Sequence, residues 1–186
     1  MPKIADIEPT PNPNAVKFIL REPLSWGIAH SFENAAQAQD DPLASALFAI
    51  DHVTNVFYID RWITITQDGA VQWEDLAREV AVLLRAAPAA ADQSAAAVFA
   101  ARQAFDHLSE ADQQRLDDIN TMLDAQIRPY LQSDGGDLHV LSLVGNKLVV
   151  HYQGACGTCP SSISGTLQSI ENQLRTLEPD LEVIAA

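Results

Sequence analysis

Cys156 and Cys159 are the two cysteines of this 186-residue chain, and they stand three positions apart within Gly154-Ala155-Cys156-Gly157-Thr158-Cys159-Pro160-Ser161-Ser162. In a CxxC segment both sulfurs can point to one side of a tight loop. Gly157 lets the backbone come close, and loop amides can hydrogen-bond thiolates. A helix starting just after the loop sets the positive end of its dipole nearby, which favours the ionised sulfur that metals require. Thiolates are soft ligands and select zinc, copper(I) or iron-sulfur clusters. Two cysteines this close make no disulfide framework for a secreted domain and fit a reducing cytoplasm, where the spacing points to metal or redox chemistry. The bland alternative is that both simply pack.

A count of ligands decides the architecture. Zinc sites and all-cysteine [4Fe-4S] clusters take four thiolates, and one chain offers two. Two chains supply 2 + 2 = 4, so a symmetric homodimer across the metal is the simplest complete site. Three functions follow: a non-enzymatic carrier of a shared cluster, a CxxC thiol-disulfide oxidoreductase, and a zinc-bridged structural dimer. The second would want a βαβ setting around the motif, and the pattern there is not βαβ. The chemistry of the four sulfurs leaves zinc and iron-sulfur unseparated. His139 and His151 fall on strands near the cysteine loop and could make a mixed Cys/His site, but their spacing gives no support. Asp134 and Asp137 could move protons, yet residues flanking two glycines are expected to serve a turn.

The elements that must hold this loop can be read from periodicity. Leu116, Ile119, Leu123 and Ile127 line one face of a helix capped by Ser109, and Pro129 should kink or restart it. Asp134-Gly135-Gly136-Asp137 reads as a sharp turn whose glycines allow unusual backbone angles. Leu138–Val144 and Lys147–Gln153 read as strands joined by Gly145-Asn146. Ile163, Leu167, Ile170, Leu174 and Leu177 follow helical spacing, and Leu181–Ile184 reads as a last strand. Upstream, Ala15–Arg21 reads as a strand, followed by a loop through Gln39. Asp41 and Pro42 open a helix with Leu43, Ala46, Leu47 and Ile50 on one face. Val53–Thr66 holds two strands turning at Asp60-Arg61, and Leu76, Val80, Leu83 and Leu84 mark a helix ending near Arg85. Trp26, Trp62 and Trp73 are expected in this first core or at its rim. The reading is an α/β (α+β) chain of two small domains, each a short sheet packed with helices. Residues 1–86 form the first, residues 87–112 an alanine-rich linker that is partly helical over 93–107, and residues 113–186 the second, with the CxxC site.

Composition narrows the partners. The chain is 47% hydrophobic and 19% charged, which describes an ordinary folded protein. Eleven Lys and Arg against 25 Asp and Glu leave a net charge of -14, which repels phosphate over most of the surface, so neither nucleic acid nor anionic membrane is an expected partner. No apolar run is long enough to span a bilayer, and Met1 to Pro13 has neither a secretory nor a transit pattern. A cytoplasmic protein is expected, or one of the mitochondrial matrix if a transit peptide has been removed.

Ile127-Arg128-Pro129, Asp134-Gly135-Gly136-Asp137 and the loop from Gly154 to Ser162 together resemble the C-terminal domain of the NifU-like (Nfu) iron-sulfur proteins. Pro11-Asn12-Pro13-Asn14-Ala15-Val16-Lys17-Phe18, the stretch Pro42 to Ile50, and Trp73-Glu74-Asp75-Leu76 are similar to the N-terminal domain that accompanies it. The resemblance covers nearly the whole chain outside the linker. It implies a carrier or alternative scaffold that binds a [4Fe-4S] cluster, with a [2Fe-2S] form left open, at a homodimer interface. Such a carrier takes the cluster from an upstream scaffold and delivers it to apo iron-sulfur proteins. The family's ligand cysteines fall on Cys156 and Cys159, and no other residue carries over as a ligand.

Overall fold

The computed structural model describes residues 3–88, 108–158 and 162–186, with side chains described for all of these except 162–166. The chain divides into two compact units, Met1–Phe99 and Ala100–Ala186. The alanine-rich helix expected over 93–107 lies outside the described residues.

Among the described residues, the first unit is a five-stranded antiparallel sheet ordered β1-β2-β5-β4-β3, with two helices. Its strands are β1 (Ile4–Pro9), β2 (Ala15–Leu20), β3 (His30–Phe32), β4 (Val53–Ile59) and β5 (Trp62–Gln67). Helix α1 spans Pro42–Phe48 and α2 spans Trp73–Ala86. The Asp41 carboxylate accepts a hydrogen bond from the Ala44 amide at 2.7 Å, so it caps α1 as its position before Pro42 predicts. Leu47 from α1 and Leu76, Val80 and Leu84 from α2 close over Phe18, Val56, Ile63 and Ile65, forming one apolar cluster. Trp73 is half-buried against this core, Trp62 is half-buried against the Phe57 ring outside it, and Trp26 is 42% exposed.

Two strands depart from the expected order. β1 is an edge strand with four of its six residues exposed, so burial imposes no alternation on it, and Pro9 is tolerated because an edge need not donate on its outer side. β3 lies within the expected loop. Its three residues pair with β4, too short a run to carry a period.

The second unit is a three-stranded sheet of β6 (Gly136–Val144), β7 (Lys147–Gly154) and β8 (Glu182–Ala185). β6 and β7 are an antiparallel hairpin turning at Gly145, which takes φ +57°, and β8 runs parallel to β7. Helices α3 (Glu110–Met122), α4 (Arg128–Ser133) and α6 (Ser162–Leu174) accompany the sheet, with a helical turn, α5 (Ala155–Thr158), after β7. The parallel strands β7 and β8 with α6 between them in the chain make a βαβ unit around the CxxC segment, where the sequence reading expects none, because the four-residue β8 is too short to carry a parallel-strand signal. Ser109 caps α3 by accepting from the Asp112 amide. Between α3 and α4 the backbone makes a π turn over Leu123–Ile127, in which the Arg128 amide reaches back to the Leu123 carbonyl. This is the restart expected at Pro129. Proline has no N–H for an i−4 carbonyl, so the chain widens by one turn and begins a new helix with proline in its first turn. Leu116, Ile119, Leu123, Ile127 and Leu131 then bury against Leu138, Val140, Leu148 and Val150, with Ile170, Leu174, Leu181 and Val183 in the same cluster. Leu177, expected on the face of α6, falls after the helix ends and is 45% exposed.

Arg115 ties α3 to the approach to β8. Its Nε and a terminal nitrogen donate to both oxygens of Glu178 at 2.9 and 2.6 Å, and the guanidinium also reaches the Gly145 carbonyl at 3.0 Å. Both side chains are less than a third exposed, and the guanidinium holds the Glu178 carboxyl below its ordinary value of 4.5. A depressed carboxyl stabilises the fold above its unfolded value, and that contribution is lost as pH falls through the folded one. Glu178→Gln is therefore expected to lower stability by about 1 kcal/mol at neutral pH. In denaturant titrations across pH, its difference from wild type should shrink steadily once pH drops below 4.5.

Candidate metal centre

Along β7, Leu148, Val150 and Tyr152 face the core, so by alternation Gly154 falls on the same covered side. Gly154 takes φ +65°, a conformation that glycine adopts without a Cβ penalty, and turns the strand into α5. In the turn just before the neighbouring strand β6, Gly135 takes φ +80°, and its carbonyl accepts the Ala155 amide at 3.1 Å. The start of β6 and the end of β7 are thereby pinned together, with Gly136 directly opposite Gly154.

The Cys156 sulfur rests on Gly136. A Cβ at position 136 would stand 2.6 Å from Sγ, 2.9 Å from the Cys156 Cβ and 2.6 Å from the Gln153 carbonyl, all well inside contact distance. The two adjacent glycines therefore do different work. Gly135 is needed for its backbone angle, whereas Gly136 has an ordinary φ and is needed for the space it leaves. Gly157 is the close approach expected of it, since a Cβ there would lie 2.7 Å from the Tyr152 carbonyl. Cys156 is only 4% exposed. Cys159 lies outside the described residues.

Asp137 goes beyond the turn role expected for it. It is 5% exposed, and its carboxylate accepts from Gln132 Nε2 at 3.0 Å and from the Leu138 amide at 2.7 Å. Arg128 Nε lies 3.6 Å away and also meets the Leu138 carbonyl. Arg128 is held in turn by Asp124 and by Asn120. Burial pushes the Asp137 carboxyl above its ordinary range, against the pull of these donors. The arrangement braces α4 against the start of β6, beside the Cys156 seat. The Ile-Arg-Pro and Asp-Gly-Gly-Asp segments signalled it, although neither reveals the pairing by spacing alone.

His139 and His151 face each other across β6 and β7, on the side of the sheet opposite Leu138 and Tyr152. His139 is exposed, and His151 Nδ1 lies 2.9 Å from the Ala186 carbonyl. The structure does not bring them to Cys156. Among the described residues no three His, Cys, Asp or Glu side chains converge to hold a metal ion.

Tyr152 was not singled out by its sequence position. It is 5% exposed, and its hydroxyl is buried without a hydrogen-bond partner. Burial first, and then the charge of Cys156, push the phenol up to about 12, so it stays protonated.

Residues 4–90 match the family described as scaffold protein Nfu/NifU N terminal, and residues 119–184 match the NifU-like domain. The chain belongs to the NifU-like (Nfu) family. Both Nfu domains are present, in the expected order. A Drosophila willistoni protein named NFU1 iron-sulfur cluster scaffold homolog, mitochondrial, is 32% identical over 180 residues, which is 94% of this chain and 60% of that protein. A Drosophila persimilis protein of the same name is 31% identical over 183 residues, 94% of this chain and 62% of its own length. The chain thus spans about three fifths of the curated relatives it matches. The solution structure of a NifU-like protein from Saccharomyces cerevisiae aligns at 27% identity and a TM-score of 0.40, covering 44% of this chain and 76% of that one. No described helix of this Nfu chain is long and apolar enough to cross a membrane.

Proposed function

We propose that this protein is a non-enzymatic carrier that holds a [4Fe-4S] cluster between two copies of itself through Cys156 and Cys159, and passes it to apo iron-sulfur proteins. The observation that supports this most directly is the seat of Cys156, a thiol placed by two pinned strand ends over a glycine whose missing side chain leaves the space that the sulfur fills. Membership of a family whose curated relatives are named cluster scaffolds points the same way. Soft thiolates suit iron and sulfide, and four of them require the second chain. The cluster is cargo, received from an upstream scaffold, in the cytoplasm or in the mitochondrial matrix, the relatives being named mitochondrial. Because Cys156 is 4% exposed, loading uncovers the sulfur toward the partner copy while its sheet side keeps the Gly136 seat. Recipient thiolates then replace the carrier's sulfurs pair by pair, and the two copies separate.

Sharing ligands between chains makes loading and dimerisation one equilibrium, so oligomeric state must follow iron by mass action. Protein purified without oxygen is expected to be brown, with iron and acid-labile sulfide. Sedimentation at matched concentration should show loaded dimer and apo monomer. A colourless dimer containing zinc would establish the structural alternative, and a loaded monomer with a full [4Fe-4S] cluster would overturn the bridged site. A [2Fe-2S] form would be distinguished by its iron-to-sulfide count. Disulfide reductase activity that survives metal removal would favour the oxidoreductase.

A further inference from the structure

A polar atom buried without a partner costs roughly 1–3 kcal/mol, so a native core that keeps one calls for a reason. The Tyr152 hydroxyl is such an atom, in the apolar cluster that also contains Cys156. Its placement relative to the sulfur follows from strand register. Tyr152 pairs with Leu138 across β6 and β7, and Gly136, two residues along β6 on the same face, is its diagonal neighbour. Diagonal sites on a sheet lie about 7–8 Å apart, within reach of an aromatic side chain. The Cys156 sulfur occupies the place where Gly136 has no side chain. Ring and sulfur therefore share one covered face at adjoining sites.

We propose that Tyr152 positions the metal-binding sulfur, its hydroxyl donating a hydrogen bond to Cys156 Sγ once that sulfur is metal-bound. This rests on the ligand role of Cys156 proposed above. A thiol is a weak acceptor, whereas a metal-bound thiolate is a strong one. The phenol O–H is a donor, and hydrogen bonds to ligand sulfurs are among the factors that set cluster potentials. The lone hydroxyl is an unused donor in the metal-free protein and a used one in the loaded protein.

Tyr152→Phe in the full chain separates the two states. The metal-free variant should melt at a higher temperature than wild type, because the unpaired group is gone. Its affinity for cobalt(II), read from the thiolate charge-transfer band, should fall about tenfold or more, the loss expected for a charge-assisted hydrogen bond. The reconstituted cluster should have a lower reduction potential and should lose the deuterium sensitivity of its iron-thiolate stretch. Tyr130→Phe, at a residue 74% exposed, should change none of these. As a second variant, 3-fluorotyrosine at position 152 keeps the packing, strengthens the donor and should raise cobalt affinity. A lower melting temperature for metal-free Tyr152→Phe would overturn the proposal, as would cobalt affinity, potential and stretch all equal to wild type. If wild type takes up no iron-sulfur cluster but Tyr152→Phe still weakens cobalt binding, the carrier reading fails and the donor role stands.

Discussion

Cys156→Ser and Cys159→Ser are each expected to abolish cluster loading while the C-terminal unit stays folded. Serine keeps the size of the side chain but replaces a soft thiolate with a hydroxyl that remains protonated at neutral pH, so one substitution per chain removes two of four ligands from a shared site. The core does not rely on the metal, since α3, α4 and α6 already bury their apolar faces against the sheet. Iron and sulfide retained after anaerobic reconstitution and desalting should fall from a full complement to background in either variant, with circular dichroism unchanged. A full complement in either one would remove that cysteine from the ligand set.

Gly136→Ala is expected to damage stability and loading together. The added methyl would stand 2.6 Å from both the Cys156 sulfur and the Gln153 carbonyl, and the second of these is backbone held in the β6–β7 ladder. Overpacking of this kind costs about 1–3 kcal/mol, which denaturant titration resolves. The sulfur must also leave its seat, so cluster retention should drop steeply even in the fraction that folds. A double-mutant cycle isolates the sulfur's share. In a Cys156→Ala background the stability cost of Gly136→Ala should shrink without vanishing, because the clash with the carbonyl persists. Equal cost in both backgrounds would mean that the sulfur does not press on Gly136.

Much of the fold was legible because burial writes a period into the chain. The α2 face, the β6–β7 hairpin and the turn at Gly145 follow from alternation, helical spacing and one turn dipeptide. What was not legible lacked such a constraint. β1 is mostly exposed along its length and β3 is three residues long. At the site, the CxxC spacing picks out the candidate ligands and the Asp-Gly-Gly-Asp segment announced a turn. The distinct role of Gly136 could not be read, because a glycine chosen for space and one chosen for backbone angle are the same letter, and the difference lies in a sulfur twenty residues away. Asp137 looked like a turn residue for a similar reason. Its buried partners come from the preceding helix, at separations that tertiary packing sets.

The π turn at Leu123–Ile127 is also a correction of phase. In an α-helix, residues spaced by four drift about 40° around the axis at each step, so a polar row at that spacing winds away from any fixed neighbour. Asn120, Asp124 and Arg128 form such a row, and the first two both bind the third. The wider turn falls among them and takes up the drift, so that the guanidinium still meets Asp137 beneath the cysteine seat. Here the helix is tuned by one inserted residue, as a gear is retimed by one tooth.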